Sequence, residues 1–92
     1  MVPETAETIA LQALAFIAAD EAVLSEFLSV TGLGPAAVRN AASAPEFLAG
    51  VIDFLLADEA RVLAFCAATD IPAEWPQRAR MLLPGADVWI DP

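Results

Sequence analysis

Ninety-two residues carry thirteen carboxylates, four arginines and no histidine, for a net charge of −9. A surface so acidic repels phosphate backbones and anionic lipid headgroups, which sets nucleic acids and membrane surfaces aside as expected partners. With 59% hydrophobic residues and a single cysteine, Cys66, the chain has material for one apolar core and none for an internal disulfide, as suits a reducing cytoplasm.

The elements read as helices in chain order. Pro3 opens a first helix that runs through Ile9, Leu14, Phe16 and Ile17 to about Ala18, and its second half, apolar on nearly all sides, is expected at the centre of the fold. Asp20 has the place of an N-cap, with Glu21 suiting the helix dipole. Val23, Leu24, Phe27, Leu28 and Thr31 then follow the i, i+3, i+4 spacing of an amphipathic helix, and Gly32 can take the left-handed turn that ends it. Pro35 starts a third helix ending near Ser43, and Pro45 a fourth ending near Ala57, with Phe47, Leu48, Val51, Ile52 and Leu55 in helical register. Asp58 and Glu59 open a fifth, which ends near Thr69 and Asp70. A turn at Pro72–Trp75 precedes a last helix from Pro76 to about Leu83, because proline is disfavoured inside a regular helix. Pro84-Gly85 ends it, and a tail follows. No stretch alternates in the manner of a strand. The fold class is therefore all-α, a small bundle of five or six helices.

A shift of 38 residues lays Phe16, Ala19, Asp20, Glu21, Ala22, Phe27 and Thr31 on Phe54, Ala57, Asp58, Glu59, Ala60, Phe65 and Thr69. Ile17 falls on Leu55, Leu24 on Val62 and Leu33 on Ile71; with one gap, Pro35-Ala36 falls on Pro72-Ala73. The expected organisation is one domain over residues 1–85, built from two tandem pseudo-symmetric three-helix units at about 9–44 and 47–83. Residues 86–92 form the tail.

The segments ALQALAFIAADE (Ala10–Glu21) and FLAGVIDFLLADE (Phe47–Glu59) resemble those of a family of short, Ala/Leu-rich bacterial proteins of unknown function. The resemblance spans roughly Ala6 to Leu83. It implies an all-helical fold and a cytoplasmic setting. The family carries no assigned activity, cofactor or catalytic residue, so the resemblance transfers none, and it does not extend to the tail.

Catalytic chemistry has little to work with. Histidine, lysine and tyrosine are absent, which removes the commonest general base, the Schiff-base amine and the phenolic acid. Cys66 falls where the first unit has Leu28 and reads as a small core hydrophobe. Asp20-Glu21 and Asp58-Glu59 supply four carboxylates that a hard cation would accept, yet positive helix N-termini suit carboxylates better than cations. Both aspartates are read as structural caps. Arg78 and Arg80, beside Trp75, are read as partners for neighbouring acids or cover for apolar surface. Charge-free runs stop at Thr8–Ala19 and Phe27–Val38, too short for a span of roughly 20 residues, and the N-terminus lacks the basic region of an export signal. No cofactor, metal or enzymatic activity is expected.

The favoured function is a protein-interaction or self-association module, with Trp75, Val88, Trp89 and Ile90 as candidate contact residues and a protein partner or a second copy as occupant. A small-molecule or regulatory domain, with an apolar pocket between the two units, is the alternative.

Overall fold

A computed structural model of the chain describes residues 1–84. Six helices are present among these residues: α1 (Pro3–Ala18), α2 (Glu21–Thr31), α3 (Pro35–Ala41), α4 (Pro45–Leu56), α5 (Glu59–Thr69) and α6 (Trp75–Met81). Their starts follow from proline and aspartate chemistry. Pro3, Pro35 and Pro45 each stand in the first turn, where a missing N–H costs nothing, and Asp20 and Asp58 stand at the N-caps of α2 and α5. Helix α6 begins one residue earlier than its proline suggests. Trp75 donates its N–H to the Pro72 carbonyl at 3.0 Å, and Pro76 then occupies the second helical position, still within the turn of orphan donors.

Helix α2 ends on Gly32 at φ 74° and α5 on Asp70 at φ 58°, positions related by the 38-residue shift. A left-handed aspartate is tolerated because its short polar side chain can bond locally, whereas most side chains would clash. Thr31 and Thr69 each donate a hydroxyl to the carbonyl four residues back, at 2.9 and 2.7 Å.

The core is one cluster. Helix α1 contributes Ala6, Ile9, Ala10, Ala13 and Ile17 on a single stripe, and α4 contributes Leu48, Ala49, Val51, Ile52, Phe54 and Leu55. These two helices pack on each other, and α6 packs on both. Helix α1 packs on α2, α4, α5 and α6 and so stands centrally, but α4 has the larger buried share and the second half of α1 is not enclosed on all sides. Leu11 of α1 is 46% exposed, and Ala15 and Ala18 also face out. Apolar composition misleads there because alanine is tolerated on a helix surface as readily as inside.

Two aromatic pairs cross between α1–α2 and α4–α5. Phe16 meets Phe65 edge-on at 5.6 Å between centroids, and Phe27 meets Phe54 at 5.2 Å. Under the 38-residue shift each pair maps onto the other. The third helices differ more: α6 lies against both central helices and buries Pro76 and Ala79, while α3 buries Val38 alone. The radius of gyration, 12.5 Å, is close to the roughly 12 Å expected of a chain this size packed as one body. No helix among the described residues is long and apolar enough to cross a membrane.

Cys66 lies in this core, with its thiol 3.8 Å from the Pro72 carbonyl. Burial pushes the thiol above its ordinary pKa, and the Glu74 carboxylate adds to the rise. The unfolded chain therefore loses this proton first as pH increases. Stability from the neutral thiol is whole below the unfolded pKa of about 8.5 and is lost as pH climbs through the higher folded value. With no lysine, tyrosine or histidine in the chain, few other groups titrate in that range. We predict that melting temperature falls more steeply above about pH 8.5 in the native chain than in Cys66→Ala. Equal slopes in a thermal melt series would show that the thiol does not couple to folding.

Candidate functional site

The concave surface of the molecule lies beside α2 and α5, and Arg61 explains its form. Arg61 sits in the first turn of α5 and reaches back to the end of α4, where Nη1 donates to the Phe54 carbonyl at 2.7 Å. That carbonyl belongs to the last turn of α4, the electronegative end of its dipole. The guanidinium carbon stands 4.0 Å from the Phe54 ring centroid, a cation–π contact. Nη2 meets Glu26 Oε2 of α2 at 3.3 Å and lies 3.8 Å from Asp58 Oδ2. The Arg61 side chain is only 10% exposed, so it binds three helices together from a largely buried position. Glu26 is 57% exposed, and its share of the ion pair is correspondingly small.

Two open grooves flank this arginine and share Glu26, Asp58 and Arg61. The larger, of about 700 Å³, runs between α2 and α4. Its α4 wall is the helical stripe Gly50, Asp53, Phe54 and Ala57, and its α2 wall carries Val30. Val30 is 69% exposed. The smaller, of about 480 Å³, has Phe16, Ala19 and Val23 on its other side. Shifted by 38 residues, these three fall on Phe54, Ala57 and Arg61 of the larger groove. The two grooves thus use corresponding positions, and a valine in one is an arginine in the other.

Acidic side chains rim the larger groove: Glu26, Asp53, Asp58 and Glu59. Asp53 Oδ1 accepts from Arg80 Nε at 2.6 Å, and the same guanidinium donates to the carbonyls of Leu83 and Pro84. Arg80 therefore closes the end of α6 while pairing with an acid, and Arg78 stays exposed.

Asp20 Oδ1 accepts the N–H groups of Ala22 and Val23 at 3.0 and 3.3 Å, and Asp58 Oδ1 those of Ala60 and Arg61 at 3.0 and 3.4 Å. Glu21 and Glu59 are exposed. Among the described residues no three histidine, cysteine, aspartate or glutamate side chains gather as a metal-binding group. Trp75 is half-buried against the core and lines neither groove. Val88, Trp89 and Ile90 lie outside the described residues. Sequence reasoning passed over Arg61, Gly50, Asp53 and Glu26, although a signal for Arg61 exists: it is the charged residue where the first unit has Val23.

Replacing Asp20 or Asp58 with alanine is expected to cost about 0.5–2 kcal/mol in denaturant unfolding. A cost near zero would mean that solvent replaces the cap without penalty. Arg61→Ala is expected to cost about 1–3 kcal/mol, from a lost charge-assisted bond, ring contact and stem packing. Arg61→Lys should restore less than half of this, because an ammonium cannot lie flat on a ring while donating to a carbonyl at its edge. Full rescue by lysine would assign the effect to charge alone.

Residues 3–86 match the model of a family described as Protein of unknown function (DUF3572), and the chain belongs to that family. No curated protein and no solved structure matches it.

Proposed function

For this member of the DUF3572 family, we propose a non-catalytic role as a protein-interaction module in the cytoplasm, with the groove between α2 and α4 as its binding face. The observation that carries the reading is that this groove stays open along a helical stripe. Its floor is apolar, its α2 wall carries a valine mostly in water, and nothing among the described residues closes over it. Exposed apolar surface set inside a polar rim is characteristic of protein contact sites. The lone thiol, buried in the core, supports a reducing setting.

The same proposal takes α1–α2 and α4–α5 as two copies of one unit. Its support is the reciprocal phenylalanine pairs, the matched aspartate caps and the paired left-handed helix ends. The alternative, a small-molecule site between the units, has the groove's position in its favour. The open mouth counts against it, since a drug-sized ligand buries about 70–90% of its surface in its pocket.

A photo-reactive amino acid placed at position 30, in cells that make the protein, tests the reading. A discrete adduct with one other polypeptide is expected from position 30, and none from position 11, which is exposed on α1 away from the groove. Identical adduct patterns from the two positions would refute a specific binding face here.

A further inference from the structure

Gly50 stands in the middle of α4, where glycine costs about 0.5–1 kcal/mol relative to alanine. Among the described residues, a methyl group built on its α-carbon would meet no atom within 4 Å, so the glycine serves neither a tight turn nor a close helix crossing there. What it does is lower the floor of the larger groove, one turn from Asp53 and opposite Val30. A bulky side chain from outside could lie directly on the α4 backbone there.

Charge decides which occupant fits. Four carboxylates stand round the groove against two guanidiniums. Arg61 is spent on the Phe54 carbonyl, the Phe54 ring, Glu26 and Asp58, and Arg80 pairs with Asp53. The rim therefore keeps an excess of negative charge, with Glu59 outside these ion pairs. Two occupants are available from the chain itself. A second copy brings a net charge of −9, and residues 85–92 bring Asp87, Asp91 and no cation. Both would press acid against acid, which disfavours association. Resting on the interaction-module reading above, we infer that the groove takes a cationic amphipathic segment of a partner protein. An apolar side chain of that segment seats over Gly50 between Val30 and Ala57, and its lysines or arginines face Glu26, Asp58 and Glu59, the rim acids that Arg80 does not hold. A helix is the natural form of such a segment, since it presents an apolar stripe of the groove's own spacing.

The test is selection of a fully random peptide library on the intact chain, counter-selected on the Gly50→Leu variant. Leucine enters open space at this position, so the variant should melt at or above the native temperature while its floor is filled. Enrichment of basic sequences with an apolar helical stripe supports the proposal, provided that they bind Gly50→Leu about tenfold or more weakly and lose affinity as salt rises. Groove-dependent enrichment of acidic or uncharged sequences would overturn the partner's chemistry and leave the interaction reading standing. Equal binding of basic peptides to both chains would reduce the effect to non-specific charge and overturn the inference; the adducts from position 30 then decide the interaction reading separately. If Trp89→Ala in the full chain raises affinity for the selected peptide, the groove is already filled by the chain's own tail. If native mass spectrometry shows a dimer that Gly50→Leu dissolves, it is filled by a second copy. Either result would overturn the proposal.

Discussion

Phe27 and Phe65 are wholly buried, and each meets the edge of a phenylalanine from the other half of the chain. Fully burying such a side chain is worth about 1.5–3 kcal/mol, and an edge-to-face pair adds about 0.5–1.5. These contacts locate α2 on α4 and α5 on α1 more firmly than the connecting turns could. Phe27 also meets Phe47 at 6.0 Å, which holds α2 against the start of α4 as well as its end. The walls of the groove are thus positioned by rings beneath its floor. The walls can leave Val30 and Gly50 in the open because they need no contact with each other to stay in place.

Arg61 shows how a charge is kept in a nearly apolar setting. Removing a guanidinium from water is costly unless its donors and its charge both find partners. Here a carbonyl, a ring and two carboxylates share that task, and among the described residues no buried side-chain nitrogen or oxygen lacks a partner. Thirty-eight residues earlier, Val23 packs against the core with no such demands. The valine and the arginine therefore give the two grooves different chemistry. The arginine places a cation deep in the wall while the acids stay at the rim, so the groove presents mainly negative charge to water.

Much of the fold is written locally. Prolines, aspartate caps and the spacing of phenylalanines place every helix boundary within about two residues, because each depends on neighbours within a turn. The family resemblance rested on the same faces and caps, which is why the fold could be read while the groove could not. Which apolar face is buried depends on crossings between distant helices, and so the enclosure of α4 and the exposed side of α1 could not be read from composition. Gly50 looks like any helical glycine until the space above it is known. Arg61 was visible as a charge 38 residues from Val23, but its partners lie on α2, α4 and the cap of its own helix, and only the packed structure brings them together. Trp75 drew attention as an aromatic near the end of the chain, and proves to be half-buried against the core.

The contact between α1 and α6 has a consequence for how the molecule is made. Helix α1 is synthesised well before α6, which packs on it, so its buried stripe has no complete cover until α6 has been made. Phe16 likewise waits for Phe65. At roughly 5–20 residues per second, the nascent chain spends several seconds with the apolar stripe of α1 unshielded. During that interval the acidic residues scattered among the apolar ones are its main protection against sticking to other nascent chains. The surface charge of the finished protein thus has an earlier use, as an escort for its own unfinished core.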